Sequence, residues 1–119
     1  MCLYCVSERK IAKKDIECCV VRICDGKTIC SPYCTYWWAV GKTEHNKKRV
    51  NKHKGSIFGG AFHSLQSISA CRSLIFIYCF QSAEIYKAII PKGSAYYVGT
   101  FNLSVSYASK KLKLVERVV

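Results

Sequence analysis

Apolar residues along this chain fall in short runs separated by turn-forming residues, the pattern of a sheet-rich domain. Glu17 to Cys24 is a nearly continuous run of β-branched and small apolar residues, closed by Asp25-Gly26, a pair that suits a tight hairpin turn. A return strand over Lys27 to Cys30 follows. Ser31-Pro32 interrupts its pairing, because proline has no amide donor, and Tyr33 to Val40 supplies an aromatic-rich strand ending at Gly41. Ser56 to Phe62 reads as another extended piece, in which Gly59-Gly60 admits a backbone angle or a close approach that a side chain would forbid.

His63 or Ser64 can start a helix, since Leu65 and Ile68 recur at helical spacing and Ala70 adds propensity. The spacing predicts one helix over about 64–73. Leu74 to Phe80 and Ala83 to Ile90 read as two strands separated by Gln81-Ser82, the second ending before the turn Pro91-Lys92-Gly93. Ala95 to Phe101 and Lys110 to Val118 complete the set, the last with the imperfect alternation of a half-exposed edge. The expected fold class is α+β: a small, mostly antiparallel β-sheet domain with about seven strands and one helix, spanning residues 1–119.

Charge changes this picture most. Nineteen Lys and Arg against seven Asp and Glu leave a formal net charge of +12 on 119 residues. Lys42, Lys47, Lys48, Arg49, Lys52 and Lys54 crowd into a stretch whose single acid is Glu44, so a solvated basic loop is expected at about 42–55. Within it Lys47, Lys48, Arg49, Lys52 and Lys54 are the candidate anion contacts. Positive potential concentrates phosphates and other anions without specifying which one. No run approaches the roughly 18–20 apolar residues of a membrane-spanning helix, and Met1 to Cys5 lacks the charged leader and apolar core of a signal peptide. A cytoplasmic protein with no membrane partner is expected.

The nine cysteines of a cytosolic chain are expected to be thiols, and an odd number leaves at least one outside any intramolecular disulfide. Cys2-x2-Cys5 and Cys30-x3-Cys34 have the crude spacing of a zinc site, without the usual glycine knuckles; thiols are the simpler expectation, and neither a metal nor another cofactor is assigned. His63, at the expected strand-to-helix junction with Ser64, can hold a phosphate at a helix start, or merely cap the helix or satisfy a buried carbonyl. The scattered acids form no carboxylate pair, and no phosphate-loop or dinucleotide glycine pattern occurs, so the reading is non-enzymatic, with no catalytic residue. Lys92, Ser94, Tyr96 and Tyr97 combine a cation, a hydroxyl and two rings, a set that can grip phosphate and stack a base. They can equally be a solvated turn followed by tyrosines shared between core and sheet surface.

The order of Met1-Cys2-Leu3-Tyr4, Ile11 to Ile16, Ser31-Pro32-Tyr33, Phe62-His63-Ser64, Ile89 to Ser94 with Tyr96 to Gly99, and Ser106 to Ser109 resembles small proteins of phages and prophages of Bacteroides-type gut bacteria. The resemblance spans nearly the whole chain; Gly60-Ala61 departs from a glycine directly before Phe62-His63. By analogy it implies an anti-defence role in the host bacterial cytosol: a homo-oligomeric sponge that sequesters a nucleotide-derived immune signal. His63, Ser64, Lys92, Ser94, Tyr96 and Tyr97 are then the expected pocket. Two alternatives stand beside it. One is a nucleic-acid-binding protein using the basic loop, although no RNA-recognition, helix-turn-helix or Gly-x-x-Gly signature is present; the other is an inhibitor that docks on an acidic host protein.

Overall fold

The computed structural model describes residues 3–4, 6–22, 27–31, 34–37, 40–53, 55–78, 83–101 and 104–118, and of residues 27–31, 34–37, 58 and 78 the backbone alone. In chain order the described elements are β1 (Lys10–Ile11), β2 (Ile16–Arg22), β3 (Lys27–Ser31), β4 (Cys34–Trp37), β5 (Thr43–His45), β6 (Asn51–His53), β7 (Ser56–Gly59), β8 (Phe62–Leu65), α1 (Ile68–Tyr78), β9 (Glu84–Ile90), β10 (Ala95–Phe101), β11 (Ser104–Ser109) and β12 (Lys111–Arg117). The mostly antiparallel sheet and single helix agree with the expected class, but strands exceed the expected number. Ten strands form one sheet in the order β1-β10-β11-β8-β2-β9-β12-β5, with β3 and β4 branching from β2, and β6-β7 make a separate ribbon.

β2 explains the architecture. Its run Cys18-Cys19-Val20-Val21 is apolar throughout because both of its faces are covered. Cys18 and Val20 join Phe62, Ala88, Ile90, Leu112 and Leu114 in one cluster, while Cys19 and Val21 join Leu65, Cys71, Leu74 and Ile85 beneath α1. β11 and β12 are separated only by Lys110, yet β11 pairs with β8 and β12 with β9, on opposite sides of β2. The sheet therefore curls back on itself, with the first cluster inside the curl.

The helix differs from expectation at both ends. Residues 62–65 are a buried strand, and α1 runs through the segment expected to be the strand Leu74 to Phe80, within the described residues to Tyr78. Ser67 sets the start: its Oγ accepts the Ala70 amide at 3.2 Å, the N-cap bond that relieves an unpaired first-turn donor. From that start Ala70, Cys71 and Leu74 point inward, whereas Phe76 and Ile77 face out. Ser67→Ala is expected to lower stability by about 1 kcal/mol; a chemical denaturation curve indistinguishable from the parent would refute the cap.

Further differences are local. The reading of residues 17–24 becomes 16–22, that of 33–40 becomes 34–37, and that of 56–62 splits into β7 and β8. β1, β5, β6 and β11 were not expected, and β5 and β6 lie within the stretch read as a plain basic loop. Asp25-Gly26, Pro32, Tyr33, Trp38, Gln81-Ser82 and Lys54 lie outside the described residues.

An N-terminal segment stitches the ribbon to the main sheet. Leu3 exchanges amide hydrogen bonds with Ile57 of β7, Tyr4 does so with Thr100 of β10, and the Ser7 amide bonds Val98 O at 2.8 Å. Gly99 permits that approach, for a Cβ there would sit 2.5 Å from Tyr4 O and 2.7 Å from Leu3 Cγ. A third buried cluster of Leu3, Ile57, Ala61 and Ala108 lies beneath it. No described helix is long and apolar enough to cross a membrane.

Candidate functional site: a basic cleft beside strand β10

The residues expected to form one pocket are dispersed. His63 and Ser64 lie in β8 at 3 % and 1 % exposure, where His63 stands opposite Ala108 and Ser64 opposite Tyr107. Neither is at the helix start, which corrects the junction on which the reading of His63 rested. Ser64 Oγ lies close enough to the Cys18 thiol to favour its ionised form, but makes no hydrogen bond of normal geometry. Burial outweighs that influence and pushes Cys18 up to about 12.

Ser94 is consumed by the turn. Its Oγ donates to Ala95 O at 3.0 Å and accepts the Lys111 amide at 3.1 Å, so it fastens the start of β12 to β10. Lys92 is exposed, and its amide is held by Asp15 Oδ1 at 2.9 Å. Tyr96 packs edge-on against Tyr107 with ring centroids 6.3 Å apart, beside the cluster inside the curl. Burial raises the Tyr107 hydroxyl above its ordinary pKa. Of the six, Tyr97 alone reaches a cationic hollow.

That hollow, about 320 Å³, lies between the loop that follows β5 and the start of β10. Arg9, Lys47, Lys48, Arg49 and Lys110 supply positive charge around it, and His45 and Tyr97 edge it. Lys52 does not line it, but its Nζ stands 5.4 Å above the Tyr97 ring, a cation–π arrangement that ties the ring to the same field. Lys54 lies outside the described residues. Among the described residues, the ion pairs Lys42–Glu44, Lys87–Glu116 and Arg117–Glu84 lie outside this hollow and do not neutralise its charge.

Topology brings in the two cations that the basic run does not contain. The sheet turns its corner at Lys110, whose Nζ donates to Lys48 O and to Gly60 O, anchoring the loop from beneath. Desolvation there pulls the lysine below its ordinary pKa. Arg9 arrives with the N-terminal segment just before β1 pairs with β10. Asn46 shapes the loop tip, its Oδ1 accepting the Lys48 amide at 3.0 Å while its own amide bonds Lys110 O at 2.8 Å. A second hollow, about 440 Å³, shares His45, Asn46, Lys47 and Lys48 and has Phe62 as its apolar contact.

The possible zinc set lies outside what is described, since Cys2 and Cys5 and the side chains of Cys30 and Cys34 are not among the described groups. Cys18, Cys19 and Cys71 are buried free thiols. Comparison with protein-family models, curated proteins and solved structures returns no match. In the cleft, clustered cationic donors beside one aromatic ring suit a phosphorylated, ring-bearing anion.

Proposed function

We propose that the protein binds, without transforming it, a small nucleotide-type anion in the cleft between the basic loop and β10, and so sequesters it. The observation that supports this is the convergence of Arg9, Lys47, Lys48, Arg49 and Lys110 around one space of about 320 Å³ with Tyr97 at its edge. Lysine and arginine meet phosphate oxygens through charge-assisted hydrogen bonds, and a tyrosine offers a face or edge to a base. A volume in this range suits a nucleotide better than a bare inorganic ion. The resemblance to phage and prophage proteins supplies a purpose: the ligand would be a host immune signal, a cyclic oligonucleotide or ADP-ribose derivative, held by a homo-oligomer in the bacterial cytosol.

One observation favours a second reading. Lys47 and Lys48 line two hollows at once, which suits a nucleic-acid strand passing along the loop, with each phosphate neutralised in turn. Salt separates the two. Native mass spectrometry of freshly purified protein is combined with titrations of cyclic di-adenylate, ADP-ribose and an oligothymidylate of about 15 nucleotides. The sequestration reading expects a multimer carrying a nucleotide-sized adduct, and small-ligand affinity that falls less than about tenfold between about 50 and 200 mM salt. Oligonucleotide binding that collapses by about a thousandfold over that range, with no small-nucleotide binding, would replace it with the nucleic-acid reading. A bare monomer that binds none of the three would sink both.

A further inference from the structure

Away from the basic cleft, on the helix side of the sheet, two thiols meet. Cys19 on β2 and Cys71 in the N-terminal part of α1 pack within one buried cluster beneath the helix. Cys71 is fully buried, whereas Cys19 keeps 6 % exposure. That exposure matters because a hollow of about 280 Å³ opens beside the start of α1. Its floor is Glu17 and Cys19 with Ile89 and Lys87, their partners across the β2–β9 pairing, and its wall includes Gln66 and Ile68. A small solute can thus enter against Cys19 while Cys71 waits behind it.

We propose that Cys19 is a peroxide-reactive thiol reached through this hollow, and that Cys71 resolves its oxidised form to a disulfide tying α1 to β2. In the first step the Cys19 sulfur attacks one oxygen of hydrogen peroxide or a small hydroperoxide. The S–O bond forms as the O–O bond breaks, giving Cys19 sulfenic acid and water or an alcohol. In the second step the Cys71 sulfur attacks the sulfenic sulfur, the S–S bond forms, and water leaves carrying the hydroxyl and the Cys71 proton. Two thiols lose two electrons and two protons, and the peroxide is the species reduced.

The surroundings favour Cys19 as the attacking sulfur. Its interaction with Cys71 is the largest influence, and with Lys87 it draws the Cys19 thiol down to about 7 despite burial and the opposing charge of Glu17. Glu116 faces the same lysine at 3.7 Å, which moderates its effect. Cys71 is held well above the ordinary thiol range by its interaction with Cys19 and by burial, which leaves Cys19 as the attacking sulfur. A disulfide between them requires their Cβ atoms to come within about 4 Å, which the shared packing of α1 on β2 must allow.

The full chain is treated with hydrogen peroxide, its remaining thiols are blocked, and it is digested with trypsin without reduction. The expected product links the peptide Asp15–Arg22 to the peptide Gly55–Arg72, lighter by two hydrogens. Because the first peptide holds both Cys18 and Cys19, the experiment is repeated in Cys18→Ala, where the link should persist. In Cys71→Ala, checked for folding by circular dichroism, Cys19 should stop at a sulfenic acid that dimedone traps. The midpoint of its peroxide reaction should rise from near pH 7 toward about 8.5. A folded protein whose Cys19 stays reduced while other cysteines oxidise, a link lost in Cys18→Ala, or an unmoved midpoint in folded Cys71→Ala would each overturn the proposal.

Discussion

Phe62→Ala is expected to destabilise the fold by about 3–5 kcal/mol, the usual cost of truncating a fully enclosed aromatic ring. Phe62 is 1 % exposed and packs with Val20, Ala88, Ile90, Leu112 and Leu114, side chains drawn from three other strands. It opens β8 opposite Ser109, one residue before the corner at Lys110 where the sheet curls back. The cavity would therefore lie where β11 passes into β12, and a strand corner held by hydrogen bonds on both sides relaxes poorly into a void. For a domain of ordinary stability the loss is about a fifth or more of the total. Urea unfolding would show a lower midpoint with an unchanged slope; a cost under about 1 kcal/mol would mean that the cluster collapses around the missing ring.

How far the sequence discloses this arrangement depends on whether the signal is local. β10 was read at its observed bounds, and β2 and β9 nearly so, because a dense apolar run closed by a turn residue has few other uses. The helix was displaced because Leu74 to Phe80 is apolar at every position, which reads as a strand buried on both faces. In α1, Phe76 is instead 83 % exposed and Ile77 also faces outward, so the run contains surface positions that composition cannot reveal. β11 failed for the opposite reason. Ser104-Val105-Ser106-Tyr107-Ala108-Ser109 looks like a polar connection, yet Ser106, Ala108 and Ser109 are buried between β10 and β8. Small residues are favoured where neighbouring layers come close, and that demand is set by the partner strands.

The cleft divides along the same line. Lys47, Lys48 and Arg49 were visible as a charge run, and Tyr97 as an aromatic beside a basic turn. Arg9 and Lys110 give no such signal, because each belongs to a short basic pair, Arg9-Lys10 and Lys110-Lys111, far in sequence from the run until the N-terminal segment and the sheet corner deliver it. The residues that looked most like a phosphate grip, His63 and Ser94, are buried, and Ser94 is committed to backbone bonds. Hydroxyl and imidazole groups serve turns and interiors as readily as ligands, so residue type alone overstated them. Cys19 and Cys71 lie far apart in sequence, and only the docking of α1 on β2 makes them a pair.

Gly60→Ala should disable the cleft, and Gly59→Ala should not, although the two glycines are adjacent. Gly60 adopts a φ of +78°, in the left-handed region that costs other residues roughly 1–2 kcal/mol. A Cβ there would also collide with the Arg49 carbonyl and with Val50 Cα, backbone atoms that cannot swing aside as a side-chain tip can. The loop must therefore lift from β8, and Lys110 then loses the geometry that lets one ammonium bind Lys48 O and Gly60 O together. With Lys47, Lys48 and Arg49 displaced from Arg9 and Lys110, the cations no longer converge. Nucleotide affinity should fall at least about tenfold, equivalent to about 1.4 kcal/mol, beyond any change in unfolding midpoint. At Gly59 a Cβ meets nothing within 4 Å, so the alanine there should stay within about 0.5 kcal/mol of the parent and bind normally. Parallel titrations of the two variants decide the matter: equal affinities would show that the placement of this loop does not govern binding.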